Sequence, residues 1–300
     1  MQATNGFTEW KKKRRLHRGW IQLGALAGLF YSLSCGNQSP SPQTTSSPTQ
    51  TPTNQLTPPS QAAGYSLTFA DDFSAFDLSP DGTGSHTWYP GIWWETIPVP
   101  FDASVGSSLL DLAWPRGQLP PDTTISSCAP KGGTCRAFRY GYFEARMKWD
   151  VTTGSWPAFW MIPIQSFASA PETGELDIFE GQGDPTNAKT FFGTIHDWKT
   201  INGKAVDVAN NGGKNAYALA GVDFSALHTY GVLWVPGQVT WYFDNQPILT
   251  ASTYPIFDQQ NYYLMLGSQE GVDWTYGNTT GVTASSINLY VTWVHVWQHQ

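Results

Sequence analysis

Three carboxylates lie within six residues, in segment 174–181, which reads GELDIFEG. If this segment is a strand, successive side chains point to opposite faces, so Glu175 and Asp177 share one face. The adjacent apolar residues Ile178 and Phe179 interrupt the alternation, and a regular strand would turn Glu180 to the other face. One β-bulge at Ile178 or Phe179 absorbs the extra residue and returns Glu180 to the acidic face. The pattern therefore predicts a bulged strand with three acids on one side.

Three acids on one face repel one another, and a shift of one pKa unit costs about 1.4 kcal/mol. A retaining glycoside hydrolase uses such an arrangement. It needs an ionised carboxylate as nucleophile and a protonated carboxyl as acid, about 5–5.5 Å apart. Neighbouring negative charge helps to keep the acid protonated. Two simpler interpretations stay open: a solvated acidic edge, and a cation site, although a linear strand encloses an ion poorly.

The segments around the acids predict strands. Residues 142–149 (YFEARMKW), 239–244 (VTWYFD) and 287–297 (INLYVTWVHVW) alternate apolar or aromatic with polar side chains. A period of two with β-branched and aromatic residues is typical of strands that have two different faces. Glu144 and Arg146 share one face of the first segment, where we expect them to form a pair that supports the site. The chain is predicted to be all-β, with two packed antiparallel sheets.

The acidic segment resembles the Glu-x-Asp-x-x-Glu signature of glycoside hydrolase family 16, in its bulged, laminarinase-like form. Further segments are similar to that family's motifs and follow in its order: 69–73 (FADDF), 140–148 (YGYFEARMK), 154–161 (GSWPAFWM), 193–196 (GTIH), 228–234 (HTYGVLW) and the strand at Trp241. The resemblance covers nearly all of residues 64–300. It implies a jelly-roll β-sandwich of the concanavalin A-like type, with a concave substrate cleft. It also implies endo-acting, retaining hydrolysis of a β-linked polysaccharide, with no metal or organic cofactor.

The same resemblance implies a role for each acid. Glu175 is expected to be the nucleophile and Glu180 the general acid/base. Asp177 would lie between them, orienting Glu175 and modulating the proton. Flat indole faces suit the apolar faces of pyranose rings. Trp156 and Trp160, four residues apart, are therefore expected to lie on a strand and to face the cleft as sugar platforms.

Four further side chains are candidates for substrate binding. His196 follows the acids at a spacing that suits donation to Asp177 or to a sugar hydroxyl. Trp93 and Trp94 are adjacent, so a strand would direct only one of them into the cleft. Trp274 lies in a Gly-containing loop and is a candidate for a distant subsite.

Three positions depart from the family pattern and bear on the substrate. Residues 91–96 (GIWWET) stand where many β-1,3-glucanases carry an Asn-Asn-Glu segment that shapes the cleft. Ala170 stands where a Trp often precedes the nucleophile by five residues. Thr292 stands where an Asp often helps to hold a structural calcium, which argues against that ion here. A β-1,3- or β-1,3-1,4-glucan is the expected substrate, and a galactan is the alternative.

Two activities of other kinds fit the same fold. A transglycosylase would use the same nucleophile but favour a sugar over water as acceptor, and sequence does not separate the two. A non-catalytic carbohydrate-binding protein is the second alternative. Lectin-like relatives lose the catalytic acids, so the presence of Glu175, Asp177 and Glu180 argues against it.

The N-terminus predicts export. A basic run at 11–18 precedes a short apolar run at 21–33, as in a secretory signal peptide, which we assign to residues 1–35. Cys35 is a candidate lipidation site of the bacterial lipoprotein type. Residues 36–63 are rich in Ser, Thr and Pro and predict a disordered linker, followed by a catalytic domain over 64–300. The protein is expected to be secreted or lipid-anchored at a bacterial cell envelope.

Charge and cysteine content narrow the partners further. The formal net charge is −7, and the residues after 34 hold 10 basic and 22 acidic side chains, a net charge of −12. Such a chain is a poor partner for nucleic acid or for an anionic membrane, and it favours a neutral polysaccharide.

Cys128 and Cys135 enclose a short Gly-rich loop and are expected to form a disulfide in an exported protein. We expect a monomer.

Overall fold

A computed structural model describes residues 56–91, 102–115, 123–129, 132–152, 154–164, 171–183, 190–212, 221–268 and 285–299. Several predictions from the sequence fall on other residues. Cys35, Trp93, Trp94, Ala170 and Trp274 lie outside the described residues, as do the predicted signal peptide and residues 36–55 of the predicted linker.

Strands dominate the described part of the chain. They are β1 (Ser66–Asp71), β2 (Tyr89–Pro90), β3 (Ala103–Gly106), β4 (Leu109–Pro115), β5 (Thr123–Ser126), β6 (Ala137–Phe138), β7 (Gly141–Trp149), β8 (Ala158–Pro163), β9 (Glu172–Gln182), β10 (Thr190–Ile201), β11 (Lys204–Gly212), β12 (His228–Val235), β13 (Gln238–Phe243), β14 (Gln246–Ser252), β15 (Tyr262–Ser268) and β16 (Ser286–Gln298). Short 3₁₀ helices span Ser60–Ala62 and Pro255–Gln259. Among the described residues, no helix is long and apolar enough to span a membrane.

The strands form two sheets. The back sheet has the order β14-β13-β12-β7-β16-β4-β3, and β1 pairs with β16. The front sheet has the order β11-β10-β9-β8-β15-β5-β2, and β6 pairs with β15. All these strand pairs are antiparallel. The predicted all-β architecture of two antiparallel sheets is confirmed.

One hydrophobic core joins the two sheets, because alternate residues of each strand point inward. Phe143 and Met147 of β7 belong to the same buried cluster as Phe159 of β8 and Leu176 of β9. Full burial of each such side chain contributes about 1.5–3 kcal/mol. This packing fixes which face of β9 is directed inward, and so it places the acids on the outer face of the front sheet.

The polar residues of β7 lie on the outer face of the back sheet. Glu144 accepts a hydrogen bond from Trp297 Nε1 (2.8 Å) and lies 3.6 Å from His295 Nδ1. The prediction that Glu144 and Arg146 support the acids is therefore wrong. Both residues lie on β7 of the back sheet, whereas the acids lie on β9 of the front sheet.

The packed part of the chain begins upstream of the predicted linker boundary at residue 63. Ala62 is fully buried in a cluster with Tyr142 and Trp297. Gln61 Nε2 donates to Asn245 Oδ1 over 2.8 Å. The last residues of the predicted linker are thus part of the folded domain, because the 3₁₀ turn Ser60–Ala62 covers aromatic side chains of the back sheet.

The predicted disulfide is present. Cys128 and Cys135 are bonded, and they also face each other in an isolated antiparallel bridge. Cys128 packs with Ile162 of β8 and Met265 of β15. The disulfide therefore closes a loop against the outer face of the front sheet.

Candidate active site

The strand β9 carries the three acids, and its register is irregular at the predicted place. On the β8 side, Phe159 pairs with Phe179 while the next residue, Trp160, pairs with Asp177. Ile178 is therefore the extra residue of a bulge. On the other side, the pairing with β10 shifts across the same stretch. The expected bulge is confirmed, and it lets Glu180 share a face with Asp177.

The bulge divides β9 into residues that face the core and residues that form the site. Leu176, Ile178 and Phe179 all belong to the core cluster and are at most 1% exposed. The acids lie opposite them and are also largely buried: Glu175 is 7% exposed, Asp177 1% and Glu180 7%. Burial of carboxylates is costly unless they are paired or hydrogen-bonded, so their partners define what the site can do.

The bulge is supported from beneath by a tryptophan of the back sheet. Trp241 Nε1 donates to the backbone oxygen of Asp177 over 2.9 Å. Gly193 of β10 lies beside this indole, and a Cβ at that position would overlap its Nε1 and Cδ1 atoms. Glycine is required here because the Trp241 ring occupies the space that a side chain would need.

Glu180 is held by Trp156. The indole Nε1 donates to Glu180 Oε1 over 3.1 Å. The prediction placed Trp156 on a strand as a sugar platform, and the placement on a strand is wrong. Residue 156 precedes β8, which begins at Ala158, and Trp156 is only 3% exposed. Its polar edge is directed to the acid, while its ring is enclosed.

Trp160 lies where the sequence placed it, on β8 and next to Asp177 in register. It is half-buried and packs on Ile162, Tyr263 and Met265, whose side chains share the outer face of the front sheet. A partly exposed indole above an apolar floor is suited to stacking against a sugar ring. The acids and this floor together form what we call the acid-bearing face.

His196 lies between two carboxylates. Its Nε2 is 3.1 Å from Asp177 Oδ2, as the sequence anticipated, and its Nδ1 is 3.0 Å from Asp207 Oδ2. Burial lowers the pKa of His196, but pairing with Asp177 and Asp207 and the charge of Glu175 outweigh it and raise that pKa to about 10. The raised pKa favours the imidazolium form of His196.

Asp207 was missed by the sequence reasoning, and a local signal for it exists. Asn202 and Gly203, both at positive φ, form a two-residue turn between β10 and β11. An Asn-Gly turn fixes the pairing of a hairpin, which puts Asp207 opposite Trp198. A bulge at Val208 then brings Asn210 to the same face of β11 as Asp207, with Asn210 opposite His196.

Glu175, Asp177 and His196 each offer one ligand atom, and these atoms lie within 4.8 Å of one another. Such a group can hold a metal ion in principle. Here, however, each ring nitrogen of His196 already lies beside a carboxylate oxygen, Nε2 at 3.1 Å from Asp177 and Nδ1 at 3.0 Å from Asp207. We therefore treat the three residues as part of an ion-pair cluster and place no metal ion there.

Thr292 occupies the position where the family often carries a structural calcium ligand. Thr292 Oγ1 donates to the backbone oxygen of Arg146 over 2.9 Å. A hydroxyl that is already used as a donor does not replace the carboxylate that calcium prefers.

The chain matches a known family model over most of its described length. Residues 107–288 match the model for glycosyl hydrolases family 16. The matched region contains all three acids together with Trp156, Trp160, His196 and Asp207. The structure brings these residues together, whereas Trp93, Trp94 and Trp274 lie outside the described residues.

Curated relatives and solved structures agree with this match. The chain is 31% identical over 214 residues to an endo-1,3-1,4-beta-glycanase of Rhizobium meliloti, covering 62% of this chain and 42% of the relative. It is 35% identical over 112 residues to a beta-glucanase of Rhodothermus marinus, covering 36% of each. The matched part thus spans less than half the length of these relatives.

The fold is shared with the laminarinase catalytic domain of Thermotoga maritima. The TM-score is 0.59 at 22% identity, and the match covers 79% of this chain and 99% of that domain. This likeness shows the jelly-roll type of sandwich that the sequence predicted.

Proposed function

The chain belongs to glycosyl hydrolase family 16, and we propose that it is an endo-acting, retaining glycoside hydrolase of a β-linked polysaccharide. The substrate we propose is a β-1,3- or a β-1,3-1,4-glucan. One relative named above is described as a beta-glucanase and the other as an endo-1,3-1,4-beta-glycanase, which supports this choice.

One observation carries the proposal. The Ile178 bulge puts Glu175, Asp177 and Glu180 on one face of β9, beside Trp160 and the apolar floor under it. Without the bulge, Glu180 would point into the core and could not act with Glu175 on one bond. A pair of carboxyl groups on the same face is what glycosidic cleavage through a covalent intermediate requires.

The roles follow from the surroundings of each acid. Glu175 is assigned as the nucleophile that attacks the anomeric carbon, the role that the family signature gives to the first of its three acids. Glu180 is assigned as the acid that protonates the leaving oxygen and then as the base that activates water. Asp177, paired with His196 at 3.1 Å, lies between them in sequence and orients the nucleophile.

Substrate binding is assigned to the half-buried Trp160 and the floor beneath it. The side chains of this floor are uncharged, and the residues after 34 carry a net charge of −12. Both features favour a neutral polymer over a polyanion. Trp93, Trp94 and Trp274 remain candidates for further subsites.

The remaining proposals concern the setting of the enzyme. We propose that the reaction uses no metal or organic cofactor, as the family resemblance implies. We propose export from a bacterium, through a signal peptide over residues 1–35, with Cys35 as a lipid anchor or with release of the protein, and a monomeric state.

The stereochemistry and the size of the products test this function. Proton NMR during hydrolysis of a mixed-linkage β-glucan should show the β-anomer as the first product, because two displacements restore the configuration. Mass spectrometry should show a range of internal oligosaccharides. A first product of α configuration would exclude the covalent intermediate, and products longer than the substrate would indicate transglycosylation.

A further inference from the structure

Asp207 of β11 is a buried carboxylate outside the family signature. Its side chain is 4% exposed. Its Oδ2 atom lies 3.0 Å from His196 Nδ1 and accepts a hydrogen bond from Asn210 Nδ2 at 2.9 Å. Its Oδ1 atom is buried without a hydrogen-bond partner among the described residues. A buried carboxylate with so few donors is costly unless a cation faces it.

Hydrogen-bond chemistry identifies that cation. A neutral imidazole has one N–H group and one acceptor nitrogen, whereas an imidazolium donates from both nitrogens. His196 has a carboxylate at each nitrogen, with Asp177 at 3.1 Å and Asp207 at 3.0 Å. Only the imidazolium offers a proton to both of them, and a neutral ring would leave one nitrogen lone pair against a carboxylate.

We propose that Asp207 is a positioning residue of this active site, which holds His196 as an imidazolium against Asp177 and thereby sets the charge around Glu175. This proposal rests on the function proposed above for Glu175 and Asp177. Asp207 acts through His196 and does not touch the reacting atoms.

Two further features hold His196 between Asp177 and Asp207. Trp198 stacks on the His196 ring, with centroids 5.5 Å apart and planes at 28°, and keeps the ring in line with the two carboxylates. The bulge at Val208 lets both Asp207 and Asn210 reach the same face. The orientation and the charge of the His196 ring are thus fixed from two neighbouring strands.

The charged groups that face His196 come from the two strands on either side of β10. Glu175 and Asp177 face it from β9, and Asp207 faces it from β11. The phenol of Tyr254, which precedes the second 3₁₀ helix, interacts electrostatically with Asp207, and burial raises the pKa of this phenol. His196 is the one cation among these three carboxylates. Loss of its proton would make the net charge of the cluster more negative by one, and Glu175 must be ionised in that cluster to act as the nucleophile.

The direct test is the protonation state of His196. Long-range ¹⁵N–¹H correlation spectra of the full protein should show an imidazolium throughout pH 6 to 9, with the signal assigned by its loss in His196→Gln. In Asp207→Asn the midpoint of this titration should fall by about one pH unit or more, because an opposite charge in contact is removed. The matched control is Asp244→Asn, which makes the same change at the Asp244–His228 pair of the back sheet.

The activity readout separates positioning from a structural role. Asp207→Asn should lose kcat on the alkaline side of its pH profile, with KM unchanged, while Asp244→Asn should keep the wild-type profile. A neutral His196 in the wild-type protein at pH 7 would overturn the proposal even if Asp207→Asn failed to fold. So would an unchanged His196 titration in folded Asp207→Asn. If the wild type cleaves no glucan but His196 titrates as expected, the proposed function fails and the assignment of the imidazolium stands.

Discussion

Trp156 donates its indole N–H to Glu180 Oε1 over 3.1 Å, and both side chains are buried. The contact joins the loop before β8 to the end of the acidic segment, and it fixes the position of the carboxyl group that we assign as general acid. A hydrogen bond to a carboxylate favours its ionised form. Trp156 therefore opposes the neighbouring negative charges, which favour the protonated form.

Replacing Trp156 by Phe should move the alkaline limb of the kcat/KM profile to higher pH. The variant removes the donor but keeps most of the ring volume. A hydrogen bond to a charged group contributes about 1.5 kcal/mol, which corresponds to a displacement of about one pH unit. The rate on a β-glucan, measured from about pH 4 to 9, gives the displacement. Trp160→Phe serves as the control, and an equal displacement in both variants would argue against a specific role for the Trp156 N–H.

Replacing Glu180 by Ala should reduce turnover of the natural glucan by about 10²–10⁴-fold, the range typical of general acid catalysis. Aryl glycosides with good leaving groups should be affected far less, because they need no proton. Added azide should then restore turnover of these substrates and yield a β-glycosyl azide, since azide needs no base. Formation of this product is measured by mass spectrometry and NMR. If azide yields none while the aryl glycoside is still consumed, Glu180 is not the acid/base.

Replacing Gly193 by Ala should destabilise the protein by about 1–3 kcal/mol, the usual cost of inserting a methyl group into a packed site. The added Cβ would overlap the Trp241 indole, which holds the backbone of Asp177. We therefore also expect a loss of kcat. Gly106→Ala, at a position with open space around the Cβ, should change the unfolding free energy by no more than about 0.5 kcal/mol. Equal urea midpoints for the two variants would contradict this account of the bulge.

The raised pKa of His196 also predicts how stability depends on pH. Its pKa is about 10 in the folded protein, against 6.5 for an unperturbed histidine, so the folded state binds more protons than the unfolded state between these values. The stabilisation is complete below about pH 6.5 and is lost as the pH rises toward 10. Urea unfolding at several pH values should show wild-type stability falling across this window by more than that of His196→Gln. Parallel curves for the two proteins would show that His196 does not contribute.

The sequence predicted the centre of the site because the residue pattern of β9 indicates a bulge. A bulge is required if both adjacent apolar residues are to face the core while the acids on either side face outward. The structure has this bulge at Ile178. The sequence failed at Trp156, where Pro157 follows and pairing with β9 begins only at Ala158. The four-residue spacing of Trp156 and Trp160 does not show that the strand begins between them.

Asp207 was missed for a different reason. The strand β11 reads KAVDVANNG, and its exposed, polar pattern does not define a buried face. The Asn202-Gly203 turn fixes the register at Asp207, opposite Trp198, but the bulge at Val208, which brings Asn210 opposite His196, has no signature in the sequence. Likewise, nothing in the alternation of β7 indicates which of the two sheets it joins, so Glu144 was assigned to the wrong one.

The most direct test of the account is the release of reducing ends from a panel of polysaccharides by the wild-type protein and by Glu175→Gln. The panel contains β-1,3-glucan, mixed-linkage β-1,3-1,4-glucan, xyloglucan, agarose and carrageenan. We predict activity on the β-1,3- or the mixed-linkage glucan. The folded Glu175→Gln variant should lose it by about 10⁴-fold or more, as other enzymes do without their nucleophile. Activity that persists in this variant, or a folded wild-type protein that cleaves no member of the panel, would contradict the account.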